Sequence, residues 1–179
     1  MTTKTSNPIN TQKGNRKMEK TEPTKMQVAA GDAIKTAKSA TTLAKAHLKR
    51  ESNKHKGRWQ WVEFLGPNGR ESAGIVDILA IRKKWDVPAQ GEFKNLKHLD
   101  LFDIMWIQVK GGSAPMPTAE DIARMEEVAD HYHACNVLLY QWNIKKKHVT
   151  GFRVLNRDTH QFGELVTDGS AVFGKVLAG

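Results

Sequence analysis

Ile75-Val76-Asp77-Ile78-Leu79-Ala80-Ile81 and Asp103-Ile104-Met105-Trp106-Ile107-Gln108-Val109-Lys110-Gly111-Gly112 are the stretches on which the reading of this chain turns. Both are rich in β-branched and aromatic residues and end in turn or charge signals, which marks them as strands. Both also carry polar groups inside an apolar run: Asp77 in the middle of the first, Gln108 and Lys110 two apart near the end of the second. Strand side chains alternate faces, so Gln108 and Lys110 point the same way and Val109 the other. If the two strands pair, a carboxylate, an amide and an ammonium converge on one spot. Burying such groups without partners is costly. A divalent cation facing a phosphodiester is one reason to place them there; an internal salt bridge is another.

Elements before and after these strands follow from period and punctuation. Residues Val28 to Arg50 have helical spacing, with Ile34, Ala37, Ala44 and Leu48 predicted on one thin stripe amid lysines. Ser52 to Gly57 reads as the exit turn. Arg58 to Leu65 reads as a first strand, with Trp59, Trp61, Val62 and Phe64 as bulk, and Gly66-Pro67-Asn68-Gly69 as a turn. A second strand spans Gly74 to Arg82, a long connection runs from Lys84 to Leu101, and a third strand runs from Asp103 to Lys110. Thr118 and Asp121 have capping-box spacing and open a helix whose predicted buried stripe is Ile122, Met125, Ala129 and Tyr132. Asn136 to Ile144 and Val149 to Leu155 read as further strands around Lys145-Lys146-Lys147, with a short strand near Leu165 and a small helix over Ser170 to Leu177. A helix between the third and fourth strands implies a parallel crossover in a mixed sheet.

Asp77 followed after a gap by Gln108-Val109-Lys110 resembles the PD-(D/E)xK nuclease signature. The wording Arg70-Glu71-Ser72-Ala73-Gly74-Ile75-Val76-Asp77 is similar to archaeal-type Holliday-junction resolvases and some restriction enzymes. The resemblance covers Lys45 to Ile144. It departs from the pattern in two places: no proline precedes Asp77, and Gln108 stands where a carboxylate usually ligates metal. The resemblance implies a restriction-endonuclease-like α/β fold, a mixed sheet flanked by helices with an α-β-β-β-α-β core. It implies Mg²⁺, or Mn²⁺, held by Asp77, the amide oxygen of Gln108 and the backbone carbonyl of Val109. Lys110 would orient water or stabilise developing charge. A second acid is expected at Glu51, with Glu63 and Glu71 as competitors. Arg70, Ser72, Lys56 and Arg58 are candidate contacts to nucleic acid, and a homodimer cutting two strands is implied. Trp59 and Trp61 between those cations read as stacking surface or, by their alternation, as half-buried core.

Charge points the same way. The formal net charge is +9, but residues 1–60 carry +10 and residues 61–179 carry −1. A basic N-terminal region of this kind serves either to neutralise phosphates or to solubilise. Residues 1–27 read as a flexible basic arm and residues 28–179 as the nuclease-like domain. The single cysteine, Cys135, excludes an internal disulfide and fits a reducing, cytoplasmic or nucleoid setting. No apolar run reaches membrane-spanning length, and the start lacks the apolar core of a signal peptide, so no membrane partner is expected. His131, His133 and Cys135, at i, i+2 and i+4, do not share a helix face and are rejected as a zinc site. The expected activity is metal-dependent endonucleolytic hydrolysis of DNA, branched or duplex. The alternatives are an inactive nucleic-acid-binding protein on the same scaffold and an interaction module whose basic arm meets an acidic partner.

Overall fold

The computed structural model describes residues 25–64, 75–84, 95–97, 99–142 and 150–173. The elements run α1 (Lys25–Lys54), β1 (Gln60–Glu63), β2 (Ile78–Lys83), β3 (Phe102–Gly111), α2 (Ala119–His131), β4 (Asn136–Trp142), β5 (Thr150–Asn156), β6 (Gln161–Phe162) and α3 (Ser170–Phe173). The strands form one six-stranded sheet in chain order. Its pairs are antiparallel except β3 and β4, which α2 joins as a parallel crossover. The class is therefore α/β, with the expected order of a helix, three strands, a helix and further strands.

Period-two alternation divides the sheet into two buried layers. Met105 and Ile107 of β3, Ile78 and Ala80 of β2, and Leu138 and Tyr140 of β4 pack with Ala44 and Leu48 of α1. Trp106 and Val137 take the other face and meet Met125 and Ala129 of α2. Thr118 caps α2 as its spacing predicts: its hydroxyl accepts the Asp121 N–H and the Asp121 carboxylate accepts the Thr118 N–H.

Several boundaries and faces differ from expectation. α1 starts at Lys25, three residues before the expected domain start at 28, and residues 1–24 lie outside the described residues. The buried stripe of α1 is Ala40, Thr41, Ala44, Leu48, Glu51 and Ser52, whereas Ile34 is 45% exposed. Thirty helical residues span about 45 Å and a ten-residue strand such as β3 about 33 Å. Gly111, the last residue of β3, already meets α1 at Ala40. Gly111 and Gly112 also lie against Thr36, and the helix before Thr36 overshoots the sheet. Tyr132 is exposed because it is the C-cap of α2, resting edge-on against Trp106 and His131. The late short strand falls at Gln161–Phe162, and Val166 forms only an isolated bridge with Phe152.

That bridge holds the 165–173 segment against β5. A Cβ on Gly151 would lie 2.5 Å from the Val166 carbonyl oxygen, and the backbone there has no side chain to swing aside. Gly151→Ala is expected to cost about 1–3 kcal/mol of unfolding free energy. Gly163→Ala, whose Cβ would sit at an ordinary 3.5 Å from Val154 O, should be near neutral. Urea denaturation of the two variants checks the pair.

Candidate functional site

Asp77 lies just before β2, not within it. Ile107 has Ile78 as its Cα partner, yet its carbonyl accepts the Asp77 N–H at 2.9 Å. Two residues of one strand thus oppose one of the other, the arrangement of a β-bulge. Beyond it the Asp77 side chain takes over the pairing: its Oδ2 accepts the Val109 N–H at 2.6 Å. A strand residue turns its N–H and C=O to the same side, so the Val109 carbonyl opens toward Asp77.

Gln108 is 7% exposed, and its Oε1 is buried without a hydrogen-bond partner among the described residues. Lys110 is half-buried and shares the α2-facing side of β3 by alternation. Its charge is felt at the start of α2: the Thr118 hydrogen bonds hold the Asp121 carboxyl below its ordinary range, and Lys110 adds a smaller effect. Asp77 thus meets the Val109 backbone where β2 begins and β3 ends, with Gln108 and Lys110 on either side of Val109 along the strand.

Glu51 sits elsewhere in the hydrogen-bond network. Its carboxylate, 3% exposed, accepts from Lys54 Nζ at 2.7 Å and from the Gly169 N–H at 3.3 Å, with Arg50 Nε at 3.6 Å and His47 Nε2 at 3.9 Å. The Lys54 hydrogen bond is the main reason its carboxyl stays below the ordinary range, against the pull of burial. His55 Nε2 lies 3.4 Å from Asp168 Oδ1. Glu51, His55 and Asp168 offer ligand atoms within 4.8 Å of one another and could hold a metal ion. His131, His133 and Cys135 form no such group among the described residues.

Beside Glu51 a cleft of about 530 Å³ opens between α1 and the ends of β4 and β5, lined by His47, Arg50, Lys54, Tyr140, Thr150 and Thr167 among others. His47 Nδ1 is 3.2 Å from the Tyr140 hydroxyl. Burial, then the Arg50 charge, lowers the His47 pKa, while burial pushes Tyr140 up to about 12.

The other expected residues are spread out. Glu63 is on β1, ion-paired with Lys45 at 2.6 Å, and its neighbour Phe64 donates its N–H to the Asp77 carbonyl. Lys56 and Arg58 both adopt positive φ in the link from α1 to β1. Trp59 is core, with the Arg82 guanidinium over its ring. Arg70, Glu71 and Ser72 lie outside the described residues. No family model, curated protein or solved structure matches the chain.

His47, His55 and Asp168 belong to no motif in the sequence. His47, Glu51 and His55 recur every four residues, a one-face signal that a helix reading can find. Asp168 had no such signal, because only the fold of the 165–173 segment brings it to α1.

Two pH effects follow. His47 and Glu51 both have folded pKa values below their ordinary 6.5 and 4.5. Each therefore contributes stability at neutral pH that is lost on acidification: for His47 as pH falls below 6.5 toward its folded value, for Glu51 as pH falls below 4.5 through its folded value. Melting temperature against pH should show His47→Gln flattening the upper part of the acid decline. Glu51→Gln should flatten the lower part and cost about 1–3 kcal/mol at neutral pH by weakening the acceptor of the Lys54 ammonium and the buried Gly169 N–H.

Proposed function

We propose that this chain is a divalent-metal-dependent endonuclease with the PD-(D/E)xK arrangement on a restriction-endonuclease-like fold, hydrolysing phosphodiester bonds in branched or duplex DNA. One observation carries the reading. The Asp77 carboxylate accepts the Val109 N–H, and Gln108, the preceding residue of β3, has a buried Oε1 with no hydrogen-bond partner among the described residues. Leaving a buried amide oxygen without a donor costs free energy. A cation would satisfy it, and the oxygens of Asp77, Gln108 and Val109 are the hard donors that Mg²⁺ prefers. The order of elements, with β2 and β3 antiparallel and a crossover helix next, supports the same reading.

Asp77, Gln108 and Val109 would hold the metal, which supplies charge neutralisation at the phosphoryl oxygens and a more acidic bound water. Lys110 orients the attacking water and stabilises the charge that builds as the oxygen–phosphorus bond forms and the leaving oxygen departs. Gln108 brings no negative charge, so a helping acid matters. Glu63 adjoins Phe64, which donates to the Asp77 carbonyl, but is itself paired with Lys45 of α1. Glu51 is committed to Lys54 and Gly169.

Cleavage of a plasmid and of a four-way junction with Mg²⁺ or Mn²⁺ tests the reading. Asp77→Ala and Lys110→Ala should each lower the rate by about 100-fold or more. Gln108→Glu, which restores a charged ligand, should lower the metal concentration needed. Equal cutting by wild type and both alanine variants would remove the enzyme reading. The neutral Gln108 favours a second reading, a nucleic-acid-binding protein with a vestigial site. That one gains if wild type binds DNA and no divalent ion produces cutting.

A further inference from the structure

The long helix carries a surface that the cleavage chemistry does not use. α1 contains Lys25, Lys35, Lys38, Lys45, Lys49, Arg50 and Lys54 against two acids, Asp32 and Glu51. At 100° per residue, Lys35, Lys38 and Lys49 face away from the buried stripe of Ala40, Ala44, Leu48 and Glu51, and Arg50 lies on the flank toward the cleft, 3.6 Å from Glu51. Glu51 is itself buried, which leaves Asp32 as the carboxylate on that outward side. Lys45 is paired with Glu63, and Lys35 lies 3.9 Å from Asp32. Lys38 and Lys49 have no carboxylate partner among the described residues.

We propose that the outward face of α1, from Lys35 to Lys54, together with the cleft beside its last two turns, seats the sugar-phosphate backbone of DNA. The proposal rests on the nuclease reading for the identity of the nucleic acid and adds where its backbone lies. Arg50 and Lys54 stand at the cleft mouth, Thr150 and Thr167 line it, and the lowered pKa keeps His47 uncharged at neutral pH. Phosphate oxygens are accepted by guanidinium, ammonium and hydroxyl donors of this kind.

A solvated basic face is the ordinary alternative, and three observations weigh against it. Beyond residue 60 the chain has no net positive charge left for a polyanion, at −1. The stretch of α1 before Thr36 is largely exposed and overshoots the sheet; a helix without a packed face is marginal in water, and a surface of opposite charge would stabilise it. The run from Lys35 to Lys54 is about 28 Å long, close to one turn of duplex. A helical protein partner fits less well. Met26, Val28 and Ile34 are exposed, but their spacing gives no common apolar stripe.

The test is equilibrium binding of a labelled duplex to the full chain in EDTA, over a range of salt concentrations. Lys35→Gln/Lys38→Gln/Lys49→Gln should flatten the slope of log K against log salt by about two to three units and weaken binding at low salt at least ~10-fold. Arg50→Gln should flatten it by about one more. A control of equal charge, Lys83→Gln/Lys97→Gln/Arg124→Gln, should leave slope and affinity unchanged. Wild-type slope and affinity in the α1 variants would overturn the proposal. So would competition by polyglutamate as strong as by DNA at equal charge. Binding in EDTA needs no cleavage, so the two readings fail separately. Loss of cutting in Asp77→Ala with unchanged α1 slopes sinks only the backbone track; altered slopes with no cutting under any metal sink only the nuclease.

Discussion

Where β2 starts, a side chain does the work of a backbone. The ladder with β3 slips at Ile107, which opposes both Asp77 and Ile78, and the next inward-facing donor on β3, the Val109 N–H, would be left open. The Asp77 carboxylate fills that place at 2.6 Å. An ionised acceptor on a backbone N–H is a short, strong bond, so the acid is fixed in position by the sheet itself. Everything proposed about the site depends on this. It puts a negative oxygen beside the Val109 carbonyl, one residue from Gln108 and one from Lys110, without a long flexible stem.

The helix on the other layer answers a different constraint. Gly111 lets the end of β3 approach α1 closely, since a Cβ there would be 2.6 Å from that of Ala40. From that contact onward α1 lies along the sheet, and its buried stripe runs through Ala44 and Leu48 to Glu51. Burying a carboxylate demands partners, and the fold supplies Lys54 from the same helix and the Gly169 N–H from the far end of the chain. The same acid therefore clasps the 165–173 segment to α1 and lines the cleft with His47. Its surrounding cations make it a structural anchor more readily than a ligand for a further cation, even with His55 and Asp168 close by.

Local chemistry was readable where it is local. The Thr118–Asp121 pair closes a capping box as its spacing requires, and Met125 and Ala129 lie on the buried side of α2. The alternation of Trp106, Ile107 and Gln108 sends them to opposite layers as a strand must. Local period misleads where an element outruns its support. Ile34 has the right helical phase but no sheet beneath it, and Tyr132 continues the stripe of α2 one residue past the helix. Asp77 read as mid-strand because its neighbours are apolar, yet the bulge places it ahead of β2.

The amino-acid order by itself determined the kinds of element, their succession and the polar residues set within two strands, because these depend on period and on residues a few positions apart. Tertiary structure decided which of them meet. That Asp77 closes on Val109, that Glu51 turns to Gly169, and that Asp168 approaches His55 all depend on strand register and on where a distant segment folds back. Those are contacts across long stretches of chain, and no local period encodes them.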